Sequence, residues 1–170
     1  MEKLTEIGNK YNTDKGTVAY EAHGYTEVYG KYIPSEGKHT LLEIGIWKGD
    51  SLKMWHEYNP EMIVHGVDIN PLIDKVEGTN IHIGSQSDYE FVTNLVTQTS
   101  PDFVIDDGSH RYSDIMSTFM FVFPLLKKGA YYFIEDLHAS YASRDKVMRN
   151  ISKITSFTME CNDKLLIIKK

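Results

Sequence analysis

Along the chain, short apolar runs each stop abruptly on a carboxylate or a glycine. Residues 102–110 pass from Phe103-Val104-Ile105 into Asp106-Asp107-Gly108-Ser109-His110. Residues 130–136 pass from Tyr131-Tyr132-Phe133-Ile134 into Glu135-Asp136, and residues 40–45 carry Leu41-Leu42 into Glu43-Ile44-Gly45. Continuous runs of this length are how strands buried on both faces of a parallel sheet read. Two further strands are predicted at 63–68, ending in Asp68, and at 80–84. In an open α/β sheet ligands bind outside the carboxyl ends of the strands, so the acidic ends predict one site above one sheet edge.

Helical spacing fills the gaps. A helix is predicted from about Asp50, as N-cap, through Leu52, Met54, Trp55 and Tyr58, until Pro60 stops it. Ser87 or Asp88 caps another that carries Phe91, Val92, Leu95 and Val96. A third follows His110, with Ile115, Met116, Phe119, Met120 and Val122 toward the core and Gly129 beyond its end. One or two helical turns are expected within 137–150. The runs Ile151–Cys161 and Lys164–Lys169 flank Asn162-Asp163, a turn too tight for anything but antiparallel pairing. The alternation predicts a doubly wound α/β sheet, mostly parallel, with helices on both faces and an antiparallel C-terminal hairpin. No linker interrupts it, and 1–170 reads as a single domain. Residues 1–39 are polar and tyrosine-rich, with a short helix carrying Leu4, Ile7 and Tyr11, a turn at 12–16 and a second short helix near Tyr25. They read as a cap over one end of the sheet.

Composition narrows the partners. The 170 residues carry a formal charge of −6 without a run of lysine or arginine, which argues against a nucleic-acid partner. Cys161 is the only cysteine, so an internal disulfide and a thiolate zinc site are excluded. The first residues lack the apolar core of a signal peptide, and the longest strongly apolar stretch, 119–126, is too short to span a bilayer. A cytoplasmic protein without a membrane partner is expected.

The chemistry gathers at the strand ends. The turn Gly45 to Gly49 lets a ligand approach the backbone, but it is neither a dinucleotide fingerprint nor a P-loop. Glu43 beneath it disfavours phosphate and suits an ammonium-bearing ligand. Asp68, at the end of the next strand, stands where a carboxylate accepts ribose hydroxyls; it would otherwise serve the turn before Asn70-Pro71. A ribose without phosphates beside an acidic loop points to S-adenosylmethionine. Asp107, Glu135 and Asp136 form a hard-oxygen set suited to magnesium, with manganese or calcium as alternatives. His110, one turn beyond Asp107, is a candidate general base. His23, His39, His56, His65, His82 and His138 lack such acidic company in sequence, though His138 is near enough to Asp136 to reach a substrate mouth. Trp47 and Tyr141 flank acidic motifs and stand out from the core aromatics.

These residues carry a pattern that resembles the class I S-adenosylmethionine-dependent methyltransferases, and within them the magnesium-dependent macrolide-sugar O-methyltransferases, with cephalosporin-hydroxylase-like proteins as more distant relatives. The matching stretches are 10–16, 23–26, 42–45, 66–68, 86–88, 105–110 and 134–141. The resemblance implies a seven-stranded Rossmann-like sheet. It implies metal ligation by Asp107, Glu135 and Asp136 with Mg2+ or Mn2+, and His110 as base. It also implies a cofactor site lined by Glu43, Gly45, Asp68 and Asp106, with Gln86 and Ser87 toward the adenine. Thr13, Lys15 and Tyr25 would fold toward the cofactor. The implied acceptor is a hydroxyl of a sugar or other vicinal diol in a small molecule or glycan. Two departures stand out: Ser85 replaces an acid of many relatives, and residues 141–151 are all that separates the Glu-Asp-Leu motif from the hairpin. A lid shared with a neighbouring subunit of a homo-oligomer would answer the second. The alternatives are a non-catalytic cofactor-binding subunit, or a metal-dependent hydrolase that leaves Gly45 and Asp68 without a role.

Overall fold

The computed structural model describes residues 2–139 and 141–170. Two short helices, α1 (Glu2–Lys10) and α2 (Tyr25–Tyr29), precede an alternation of strands and helices. In order these are β1 (Thr40–Ile44), α3 (Asp50–Tyr58), β2 (Ile63–Asp68), β3 (Thr79–Ile83), α4 (Tyr89–Thr99), β4 (Phe103–Asp106), α5 (Tyr112–Val122), β5 (Tyr131–Ile134) and α6 (Tyr141–Ile151). The strands β6 (Thr158–Glu160) and β7 (Leu165–Lys169) close the chain. The seven strands lie in the order β3-β2-β1-β4-β5-β7-β6. The first five are parallel, and β7 joins antiparallel to both β5 and β6.

The apolar runs divide by strand periodicity. Leu41, Ile105, Phe133 and Ile167 face a core closed by α1, α2 and α3. Leu42, Ile44, Val104, Tyr132 and Ile134 face a second core closed by α4, α5 and α6. The strand order reverses between β1 and β4, which opens a crevice at their carboxyl ends. Gly45 sits in that crevice at φ +87°, and a Cβ there would stand 2.0 Å from the Asp107 carbonyl oxygen. Only glycine lets the two strand ends approach so closely.

The sequence pattern misplaces some details. Asp88, with an oxygen 3.1 Å from the Phe91 amide, is the cap of α4, but α3 is preceded by left-handed Gly49 and Asp50 lies inside its first turn, paired with Lys53. Met120 is half exposed, not core. From Tyr141 to Ile151 the chain forms an 11-residue helix, longer than the one or two turns expected within 137–150, because Val147 and Ile151 supply a fully buried face that its polar composition conceals. Of the 151–161 run, only Thr158–Glu160 is strand. Among the described residues no helix is long and apolar enough to cross a membrane.

Candidate active site

Two adjoining cavities open at the crevice, sharing Gly45, Asp68 and Gly108 on their walls. The inner one, about 370 Å³, is lined by Val67, Ile69, Gln86, Ser87 and Ser109. The outer one, about 510 Å³, brings the N-terminal segment, through Thr13, Lys15 and His23, against Asp107, His110 and Asp136.

The turn after β1 is fastened by Asp68. Its Oδ2 accepts the Ile46 and Trp47 amides at 3.1 and 3.0 Å, and its Oδ1 accepts the Asn70 amide at 2.9 Å. Asp68 therefore serves the turn, and as a carboxylate on both cavity walls it keeps acceptor capacity for a ligand. Gln86 donates to Asp106 Oδ1 and to Thr118 Oγ1, and accepts the Ser109 amide at 2.8 Å. Ser87 lies at the rim of the inner cavity. Asp106, expected on the cofactor wall, lies beneath it: it is 2% exposed and also accepts the Tyr132 hydroxyl at 3.0 Å.

Burial pushes Asp106 up to about 7, against those hydrogen bonds. The stability tied to its protonation is present below its unfolded value of 3.8 and is lost as pH rises through about 7. We expect Asp106→Asn, compared with the parent by urea denaturation at pH 5.5 and pH 8, to lose less stability over that interval. An equal loss in both proteins would remove Asp106 as the source.

A second network lies deeper. Lys15 is 1% exposed, and its Nζ stands 2.5 Å from Asp107 Oδ2, 2.8 Å from Glu135 Oε2 and 3.2 Å from Glu43 Oε1. The last contact lacks hydrogen-bond geometry, which leaves Glu43 Oε1 buried without a donor. Trp55 Nε1 donates to Glu43 Oε2 at 3.0 Å, and the Tyr29 hydroxyl donates to Glu135 Oε1 at 2.5 Å. Burial opposes the charge on Lys15; the carboxylates of Asp107, Glu135 and Glu43 outweigh it and hold its pKa well above the usual value. One ammonium faces three carboxylates, so burial and the neighbouring Glu135 push Asp107 well up, against the pull of Lys15.

The sequence-level expectations for this network differ from the geometry in three places. Glu43, expected on the cofactor wall, is fully buried against Lys15 and Trp55. Lys15, expected toward the cofactor, is the internal cation of the site. Glu135 spends both oxygens on Lys15 and Tyr29 and lies outside the clusters below.

Asp136 joins two clusters whose ligand atoms fall within 4.8 Å of one another: Asp107–His110–Asp136 and His23–Asp136–His138. His110 Nε2 lies 4.0 Å from Asp107 Oδ1 and 3.9 Å from Asp136 Oδ2. His23 Nε2 is 3.5 Å and His138 Nδ1 is 3.9 Å from Asp136 Oδ1, which also accepts the Tyr25 hydroxyl at 2.7 Å. Burial acts to raise Asp136, but the Tyr25 hydroxyl and the three imidazoles hold it below the usual carboxylate range. Burial lowers His110, outweighing the attraction of Asp136. His110 and Asp136 both adopt left-handed backbone, at φ +56° and +55°. Such conformations persist in non-glycine residues where surrounding structure enforces them, often at functional sites. Thr13 is buried in the turn and accepts the Lys15 amide at 3.4 Å. His23 and His138, which the sequence offers only as residues near a ligand or substrate mouth, are the ones it does not place in the metal or catalytic set. His138 carried a signal, standing two places after Asp136, but His23 is 113 places away in sequence.

No family model matches the chain. It is 32% identical over 151 residues to mycinamicin VI 2''-O-methyltransferase of Micromonospora griseorubida, a match covering 81% of this chain and 37% of that protein. It is 34% identical over 153 residues to L-olivosyl-oleandolide 3-O-methyltransferase of Streptomyces antibioticus, covering 81% and 38%. The chain thus matches little more than a third of the length of these relatives. Among solved structures, the MycE methyltransferase of the mycinamycin pathway, in complex with Mg, SAH and mycinamycin VI, superposes with a TM-score of 0.79 at 24% identity. That superposition covers 99% of this chain and 54% of MycE. The chain is thus similar in sequence to part of several sugar O-methyltransferases, and its seven-stranded mixed sheet is the α/β methyltransferase-like fold.

Proposed function

We propose that the chain is an S-adenosylmethionine- and metal-dependent O-methyltransferase acting on a hydroxyl of a sugar or other vicinal diol, with residues 1–39 as a cap on a single domain. The observation that carries this reading is the Asp107–His110–Asp136 cluster on the wall of one cavity, joined through Gly45 and Asp68 to a second cavity lined by Val67, Ile69, Gln86 and Ser87. The residues fit both groups. A buried carboxylate excess with one ammonium wants a further cation, and oxygen donors suit Mg2+ or Mn2+. Asp107 and Asp136 present the nearest ligands; Glu135 would join them on release from Lys15 or Tyr29. Gly45, Asp68, Gln86 and Ser87 line the space for the cofactor, Thr13 stands on the adjoining cavity from the N-terminal side, and Tyr25, fully buried, holds Asp136 from behind.

When bound, the metal would acidify an acceptor hydroxyl and the cofactor would supply an electrophilic methyl. His110, whose neutral form burial favours, accepts the hydroxyl proton at Nε2. Asp136 and Asp107, each about 4 Å from that nitrogen, stabilise the imidazolium so formed. Tyr25 locks Asp136 in place, and the turn pinned by Asp68 fixes the angle of approach.

The test is calorimetry of S-adenosylhomocysteine binding with magnesium and with chelator, followed by methyl transfer to simple glycosides. Absence of binding in both conditions would remove this reading. Metal binding carries its own pH signature. The raised Asp107 must lose its proton to ligate, so ion binding should release protons and tighten as pH rises. Titrations of Mn2+ in buffers of different ionisation enthalpy check this; an affinity independent of pH would contradict it.

A further inference from the structure

Trp47 is not explained by the fold. Its backbone serves the turn, donating to Asp68, and any residue can supply that amide. Its backbone is left-handed at φ +45°, a conformation that glycine or asparagine adopts with less strain than a bulky aromatic residue. Its side chain is 74% exposed, so it contributes little to the core. Lys48 places its ammonium 4.3 Å from the ring centroid, which steadies the indole while most of its surface stays open. Tyr20 is more exposed still, at 89%. Both aromatic residues line the outer cavity, together with Asp107, His110 and Asp136.

We propose that Tyr20 and Trp47 are acceptor platforms, and that they select an uncharged or amino-bearing pyranoside over a phosphorylated or nucleotide-linked sugar. The inference rests on the methyltransferase reading above and adds the specificity of the same site. The ring faces carry negative potential, which suits the polarised C–H face of a pyranose. The charge of the cavity excludes the alternative. Asp14, Glu21, Asp50, Asp68, Asp107 and Asp136 line it against only Lys15 and Lys48. A divalent ion and a sulfonium cofactor bring that wall toward neutrality, with no cationic surplus for a phosphate. A neutral ring stacked on an open aromatic face needs no such surplus.

The chain contains its own reporter. It has two tryptophans, and Trp55 is fully buried, so a ligand at the cavity mouth acts on Trp47 emission. The experiment uses the full chain with S-adenosylhomocysteine and Mg2+, whose binding is first confirmed by calorimetry. Methyl α-L-rhamnopyranoside and UDP-glucose are then titrated separately, with tryptophan fluorescence and saturation-transfer NMR as readouts. The rhamnoside is expected to perturb Trp47 emission and to receive saturation on its C–H face. Tyr20→Ala and Trp47→Ser should weaken its binding about three- to tenfold each, and Trp47→Phe should retain it. UDP-glucose should bind more weakly than the rhamnoside. Equal rhamnoside binding by parent, Tyr20→Ala and Trp47→Ser would overturn the proposal, as would tighter binding of UDP-glucose. So would failure of the rhamnoside to bind a protein that holds S-adenosylhomocysteine. Failure to hold S-adenosylhomocysteine would instead fell the methyltransferase reading beneath it.

Discussion

Replacing His110 by alanine is expected to lower turnover about 10²–10⁴-fold while S-adenosylhomocysteine and Mn2+ still bind. The argument is geometric. Nε2 of His110 faces the gap between Asp107 and Asp136, where an acceptor hydroxyl held by both would lie. No other imidazole approaches Asp107 within ion-pairing distance among the described residues; His23 and His138 gather on the far oxygen of Asp136. Because burial lowers His110, its neutral base form is favoured. With the metal saturating, activity should therefore not fall as pH rises through neutrality and should fall on acidification below the ordinary histidine value of 6.5. A variant that loses Mn2+ together with turnover would make His110 a metal ligand and leave the base unassigned. Normal turnover would remove it from the reaction altogether.

Lys15→Met should be the most destabilising single change in the site. It leaves Glu43, Glu135 and Asp107 buried around an apolar side chain. Removing one partner of a buried ion pair costs about 3–5 kcal/mol, which for a chain of this size lowers the melting temperature on the order of 10 °C. The cost has a predictable pH dependence. Without the ammonium Asp107 and Glu135 rise further, so they take up protons at mild acidity and escape part of the penalty there. The deficit relative to the parent should be smallest near pH 5 and largest above neutrality. Magnesium, as a replacement cation, should raise the melting temperature of the variant more than that of the parent. Thermal melts at both pH values, with and without magnesium, check all three points. A variant that melts with the parent would show that Lys15 is not the counter-ion of this cluster.

The strand ends were legible because burial on both faces enforces continuous apolar runs, and only polar side chains can follow where the sheet stops. That placed Asp106, Asp107, Glu135 and Asp136 at one edge, and Gly45 and Asp68 beside them. The hairpin was legible because Asn162-Asp163 is too short for a crossover. The helix α6 was obscured, since Val147 and Ile151 are spaced four apart within otherwise polar residues. One helical contact stripe of that width is hard to tell from chance.

What pattern could not decide was which face of each acid the fold would use. A strand end fixes a Cα position, whereas the direction of a carboxylate depends on what arrives from elsewhere. Lys15 arrives from a turn 92 residues before Asp107 and draws Glu135 and Glu43 inward. Tyr25 and His23 arrive from the same segment and turn Asp136 outward. Local sequence thus determined the sheet, its acidic edge and the His110 position, because periodicity and turn chemistry act over a few residues. Only tertiary structure divided the acids into a buried lattice and an accessible cluster, because pairing a buried charge is a long-range requirement that no local spacing records.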